Sequence, residues 1–384
     1  MKITLKRTEE QVELVKAMAS KNRDVAYQAQ VALAEFIGPV LAEVVAQAPT
    51  LSNLFTKFSF NEDDNASIPL DLYYDITDED YLTVWSQNVA GGLPSNAATP
   101  VQSEMKFTTY RLDSAIDFDK RYASRSRLDV VSKTFTRLAQ EILLKQDRNS
   151  AALVFGALAG GNQAGTDKSA TTRGKSHVIA AGSAGRLILD DFNRLMTRAK
   201  RINQSWAGGT PVGEGNRGVT DLIVSPEVVQ SLREIAYNPI NTRQADGTAA
   251  AGELGIPATD SMRESVYTNA GIPEFYGVNI MELQEMGKGQ RYNKIFAGFQ
   301  PEVETPASSV VATFSDSTDE ICLGLDRSRD VMLHAVATDA ENGSEFSLSV
   351  DDQYSARQNK IGYYGSVEEG RMILDNRVLF GISL

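Results

Sequence analysis

Reactive side chains are scarce in this chain. Its 384 residues hold one cysteine, Cys322, and two histidines, His177 and His334. One thiol cannot close an internal disulfide, and a thiolate metal cage needs more sulfur, so a reducing compartment is expected. The histidines lie far apart, and neither stands at metal-ligand spacing from a Cys, Asp or Glu, so both read as structural. Positive charge is also short. There are 38 Lys and Arg against 50 Asp and Glu, a net charge of −12. An acidic exterior repels the phosphates that a nucleic-acid reader must grip. No apolar run approaches the ~20 residues of a membrane span, and residues 1–7 carry charge without the apolar core of a signal peptide behind them. A soluble protein with no membrane partner is expected.

Motifs that carry chemistry are missing too. There is no P-loop and no G-x-S-x-G elbow; Ser183, between Gly182 and Gly185, misses the spacing. Gly213-x-Gly215-x-x-Gly218 has the dinucleotide pattern but precedes a strand instead of opening a helix, so it reads as a plain loop. Acidic residues cluster at Glu62, Asp63 and Asp64, at Asp75, Asp78, Glu79 and Asp80, and at Asp351 and Asp352. They lack calcium-loop spacing and read as solvated loops. No catalytic, cofactor-binding or metal-binding residue is assigned, and no enzyme activity is expected.

What is present is ordered pattern. Thr8 and Gln11 match a capping box, and the helical spacing of Val12, Val15 and Ala19 continues through Val25, Ala29, Leu33, Ile37, Leu41 and Val44. Pro39 is expected to kink or split this helix. Its apolar stripe must be covered either by a neighbouring subunit or by the chain's own body. Residues 67–74 alternate as a strand, with Pro69 placing it at an edge. A small-residue tract at 86–103 follows, and Met105, Phe107 and Thr109, then Ile116 and Phe118, alternate again. Residues 67–119 thus read as an extended β arm with too little core to stand alone. Leu128, Val131, Phe135, Leu138 and Ile142 set a helix over 126–159, ~45 Å or more in length. Further along, the spacing predicts a helix over 189–202, a buried strand over 221–224 and a helix opened by Pro226. Short strands are predicted at 277–283 and 294–298. Alternating residues at 331–337 and 346–350 flank Asn342-Gly343 as a hairpin, and Val378, Phe380, Ile382 and Leu384 alternate in a last strand.

Two sets of residues are candidates for contacts between subunits. Gly91, Gly92 and Pro94 lie at the tip of the arm. Arg125, Arg127 and Arg137, with Lys133, Lys145 and Arg148, concentrate positive charge on or before the long helix. That charge is either a solvated face or the mate of an acidic loop on a neighbour. Exposed pairs contribute only ~0–1 kcal/mol each, so repetition would be needed for them to matter.

The run 221–229 (Asp-Leu-Ile-Val-Ser-Pro-Glu-Val-Val) and the run from Tyr354 through Arg357, Gly362, Tyr363, Gly370, Met372, Ile373, Leu374 and Val378 resemble stretches of the major capsid proteins of tailed bacteriophages, the Hong Kong 97-type family. The order of elements resembles that family over nearly the whole chain. The resemblance implies an α+β fold, with an N-terminal helical arm at 1–66 and an extended β-hairpin loop at 67–112. A peripheral domain with its spine helix would occupy 113–159, an axial domain 160–291, and returning peripheral strands 292–384. It implies a shell of hexamers and pentamers enclosing double-stranded DNA without reading it, a virion location after assembly in the host cytoplasm, and partners in a separate scaffolding protein and a portal. Some members of the family cross-link Lys to Asn between subunits; no such trio is identifiable here. An encapsulin-like compartment is the alternative content, and a metal-dependent soluble enzyme the alternative class.

Overall fold

The computed structural model describes residues 8–46, 48, 50–61, 67–69, 104–125, 127–160, 176–182, 185–202, 218–237, 274–275, 277–304, 311–328, 330–338, 345–351 and 358–384. These form two compact units, each gathered from separate parts of the chain. The first comprises Met1–Ile68, Met105–Ser150 and Leu333–Met372; the second comprises Pro69–Glu104, Ala151–Met332 and Ile373–Leu384. The class is α+β, with mixed sheets, as expected.

The first unit begins with helices α1 (Glu9–Met18) and α2 (Arg23–Ala46). Thr8 is the N-cap of α1, but its side chain makes no capping bond, so the expected capping box does not form. The helical run breaks between Met18 and Arg23 and not at Pro39, which sits inside α2. The missing donor costs a backbone bond, but Ile37 and Leu41, 1% and 2% exposed on either side of the proline, anchor the helix in the core. By length and composition α2 is apolar enough to cross a membrane, contrary to the sequence expectation. It carries Glu35 and Glu43, and Ala29, Leu33, Ala34, Ile37 and Leu41 join the core of the first unit. Of the two placements open to this apolar stripe, the one seen is against the chain's own body.

A 3-10 turn (Leu51–Leu54) leads into β1 (Thr56–Asn61). Strands β2 (Ser67–Pro69) and β3 (Glu104–Lys106) pair only with each other among the described strands. Then come β4 (Tyr110–Asp119), the short α3 (Lys120–Ser124) and α4 (Leu128–Gly160), whose 33 residues span ~50 Å. The division between the units falls inside α4. The repeat Leu128, Val131, Phe135, Leu138, Ala139 and Ile142 is buried against the sheet of the first unit.

The second unit contains β5 (Val178–Ala180), α5 (Leu189–Ile202), β6 (Asp221–Val224), α6 (Pro226–Tyr237), β7 (Glu274–Phe275), β8 (Val278–Glu282), α7 (Arg291–Gly298), β9 (Glu302–Glu304), β10 (Val311–Thr313) and β11 (Ile321–Leu325). The 294–298 segment is therefore helical and not a strand. Tyr292, Asn293 and Phe296 are its buried face, a spacing that a helix satisfies and a strand does not. The chain closes with β12 (Met332–Thr338), β13 (Ser347–Asp351), β14 (Lys360–Ile373) and β15 (Leu379–Ser383).

The sheet of the first unit runs β1-β12-β14-β13, with β4 also on β14. The expected hairpin between 331–337 and 346–350 is not a pair: β12 and β13 each pair with β14, whose 14 residues offer more ladder than either could offer the other. Asn342 and Gly343 lie outside the described residues. The eight-stranded sheet of the second unit runs β10-β9-β5-β15-β11-β6-β8-β7. Its β15 lies between a parallel and an antiparallel neighbour and is buried at all five positions, so it does not alternate as its sequence suggested. Cys322 in β11 is fully buried, and burial pushes its thiol pKa well above the ordinary value.

In the core of the first unit Tyr363 stacks on Phe118 at 6.3 Å and meets Phe135 at 5.4 Å between ring centroids. Gly365, two residues on, faces Phe346: a β-carbon there would lie 2.5 Å from its Cζ. Gly365→Ala is expected to destabilise the subunit by about 1–3 kcal/mol through overpacking, read as a lower urea midpoint at unchanged slope.

Candidate functional site

The structure places the six expected contact residues as follows. Gly91, Gly92 and Pro94 lie outside the described residues. Arg125 and Arg127 are exposed in the turn between α3 and α4. Arg137 is exposed on α4, and its Nε donates to Glu141 Oε1 at 3.0 Å, one helical turn on. Both side chains of that pair are more than half exposed, so solvent screens it and it contributes little to the fold. The acidic runs at 62–64 and 75–80 lie outside the described residues. Gly218, described here, stands in a left-handed turn (φ +84) just before β6, as a loop glycine and not at a helix start. Among the described residues no three His, Cys, Asp or Glu side chains are placed to hold a metal ion.

His177 is buried in the second unit, with Nδ1 3.1 Å from the Leu379 carbonyl and its ring stacked on Phe380. His334 is different. It is one member of a buried polar cluster in the first unit, centred on Glu369, and sequence reasoning missed that cluster. Along β14 the residues Ile361, Tyr363, Gly365, Val367 and Glu369 share one face by the two-residue period of a strand. That face carries core residues, and Glu369 is 0% exposed on it. The period was legible, but an adjacent pair of glutamates reads as solvated surface.

Four side chains answer the buried carboxylate. Tyr110 Oη donates to Oε1 at 2.8 Å and Arg371 Nη1 donates to the same oxygen at 2.5 Å. Gln146 Nε2 donates to Oε2 at 2.8 Å, and His334 Nε2 lies 3.0 Å from that oxygen. Arg371 Nη1 also donates to Tyr110 Oη at 2.9 Å, and its Nη2 to Ser52 Oγ at 2.7 Å. The Ser52 amide in turn donates to Asp147 Oδ1 at 3.2 Å. β4, α4, β12, β14 and the 3-10 turn are thus joined through one carboxylate. Burial alone would raise the Glu369 pKa, but the His334 hydrogen bond, the Arg371 charge and the Tyr110 hydroxyl outweigh it and hold it at about 2. Burial lowers the His334 pKa more than its bond to Glu369 raises it. This is a structural network: it leaves no nucleophile, and its acid and base are spent on each other.

Comparison with known proteins finds no matching family model and no matching curated protein. Solved structures similar to the chain include the capsid of the native GTA particle, at 13% identity over 88% of this chain and 90% of that one, with a TM-score of 0.49. The capsid of the cyanophage P-SCSP1u is similar at 14% identity over 87% and 88%, with a TM-score of 0.47. The SrpI encapsulin complex from Synechococcus elongatus PCC 7942 is similar at 10% identity over 86% and 85%, with a TM-score of 0.43.

Both shifts make acid destabilising. The unfolded chain binds a proton at His334 near its ordinary 6.5, before the folded chain does. It binds one at Glu369 near 4.5, while the folded chain holds out to about 2. Stability is therefore lost first as pH falls below 6.5 and again between 4.5 and about 2. In urea titrations of the subunit at about pH 7.5 and about pH 5.5, His334→Gln is expected to shrink the difference between the two midpoints. Glu369→Gln leaves Arg371 buried without its counter-charge and is expected to cost about 3–5 kcal/mol at neutral pH.

Proposed function

We propose that this chain is a major capsid protein of the Hong Kong 97 type, which assembles as hexamers and pentamers into an icosahedral shell around double-stranded DNA. The β2–β3 ladder supports this reading most directly. Three residues on each side, Ser67–Pro69 and Glu104–Lys106, pair with each other and with no other described strand, and residues 70–103 stand between them in sequence. A two-stranded ribbon has no core of its own and is marginal in water. An arm founded on so short a ladder needs a surface supplied by another molecule, and a second copy of the chain supplies one at every position of a lattice.

Exposed apolar side chains add support. Val25, Tyr27 and Phe36 of α2 are 43%, 47% and 56% exposed, although Ala29, Leu33, Ala34, Ile37 and Leu41 of the same helix are buried in the core. Arg125, Arg127 and Arg137 are exposed and fit contact with an acidic neighbour. Many weak contacts repeated on a closed shell make loss of a single subunit costly. An excess of acidic residues on such a shell suits enclosure of DNA without adhesion to it. In this reading the separate scaffolding protein and the portal act during assembly in the host cytoplasm, and no cofactor or catalytic residue takes part.

Deleting residues 91–98, at the expected tip of the arm, is expected to abolish closed particles in negative-stain microscopy while soluble subunits remain. Normal particles from that deletion would remove the arm from the mechanism. Nuclease-protected DNA inside particles purified from infected cells distinguishes a virion from a protein-filled compartment.

A further inference from the structure

Charge is sorted along this chain. Residues 58–105 carry nine Asp and Glu and no Lys or Arg. Five of the nine, Asp71, Asp75, Asp78, Glu79 and Asp80, fall within ten residues of the expected arm. Residues 120–148 are the reverse, with eight Lys and Arg against three Asp and Glu, in a chain whose net charge is −12. That stretch forms α3, the turn after it and most of the part of α4 that belongs to the first unit. Arg125, Arg127, Lys133 and Lys145 are exposed, and none of the four forms an ion pair among the described residues. Arg121 and Arg137 have partners, Asp119 at 3.9 Å and Glu141 at 3.0 Å, but their side chains remain 78% and 79% exposed. Elsewhere arginines are answered more closely: Arg198 by Glu304, Arg371 by Glu369 and Arg377 by Asp375. The α3–α4 band is thus a local surplus of open positive charge in an acidic protein.

We propose that this band is the seat of residues 71–80 of a second copy of the chain. The inference rests on the shell reading above and names the surface that the arm uses. The signs are opposite, and the remainder of an acidic surface repels the segment. The chemistry matches as well. Guanidinium forks meet carboxylates with two parallel bonds, and Tyr73 and Tyr74 within the segment offer rings on which a guanidinium stacks. Each copy carries both the band and the segment, so a head-to-tail contact repeats around a ring and every band meets a segment. A DNA backbone is an anion too, but the net charge of the chain opposes it, whereas the acidic segment is present once per band in any assembly. Exposed ion pairs contribute little singly. The band therefore acts by number, and chiefly on the rate and selectivity of encounter between copies.

Two charge reversals of the full chain test this. The band variant carries Arg125→Glu, Arg127→Glu and Lys133→Glu, at exposed positions, so its urea midpoint is expected to stay that of the unaltered subunit. The arm variant carries Asp75→Lys, Asp78→Lys and Glu79→Lys. Closed particles from the unaltered chain in negative-stain microscopy are the control; their absence would remove the shell reading and this inference with it. Each variant alone is expected to assemble at least about tenfold more slowly than the unaltered chain, the scale of electrostatic steering. An equimolar mixture of the two is expected to recover mixed oligomers, read by native mass spectrometry, because each arm then finds a band of opposite sign on the other variant. A contact made within one chain gives no such recovery, and that result would overturn the proposal. Unaltered assembly rates in both variants would overturn it too, while leaving the shell reading in place. A band variant that assembles normally but loses affinity for double-stranded DNA would assign the band to DNA instead.

Discussion

A carboxylate sealed from water must be answered on every side, and Glu369 collects its answers from distant parts of the chain. Tyr110 comes from β4, Gln146 from α4, His334 from β12 and Arg371 from β14 itself. Ion pairs of this kind contribute less to stability than their geometry suggests, because desolvation consumes much of the attraction. Their strength is in what they forbid. Tyr110 stands opposite Glu369 in the β4–β14 ladder. A one-residue slip of β14 would turn Glu369 away from its donors and leave Arg371 and Gln146 facing nothing. The cluster thus fixes which of several apolar registers the sheet adopts.

The second unit solves the same problem by other means. Much of its core is hydrocarbon, and β6, β11 and β15 are buried at every position, while Asp191, Asn293, Glu320 and Asp326 are buried as well. Gly156 admits the Phe299 ring beside α4, where a β-carbon would stand 3.2 Å from Cζ. Gly381 lies between Ile321 and Val178 in the same tight manner. Packing of this kind tolerates neither added nor removed volume, so shape acts there beside buried polar groups such as Asn293, which bonds the Ile321 amide.

Local pattern carried much of the fold into view. The boundaries of α5, β6 and α6 follow from Asp190 and Asp191 in a first turn, a run of Leu, Ile and Val, and a proline at its tolerated place. The failures share a cause: the deciding partner is remote in sequence. Pro39 does not split α2, whose flanking Ile37 and Leu41 are buried in the core, α7 is too short for its period to outweigh its β-branched and aromatic content, and β12 and β13 were matched to each other because the Asn342-Gly343 signal lies between them, whereas β14, which pairs with both, comes later in the chain. The candidate site fared worst. Two adjacent glutamates and an arginine look like surface until the two-residue period of β14 is extended past Val367 to Glu369. Charge-bearing residues on a core-facing period are a readable signal, and they mark a buried network more often than a reactive one.

The order of strands in the second unit has a bearing on how the molecule comes into being. β15, the last strand in sequence, lies in the interior of its sheet, between β5 and β11. The sheet of the first unit likewise needs β14 before β4 and β12 have their common neighbour. Neither sheet can be completed while the ribosome still holds these segments. Pairings of such long sequence separation are slow to close. A nascent chain therefore carries two unfinished cores until β14 and β15 have emerged, and neighbouring chains on a polysome would offer unpaired strand edges to one another over that interval.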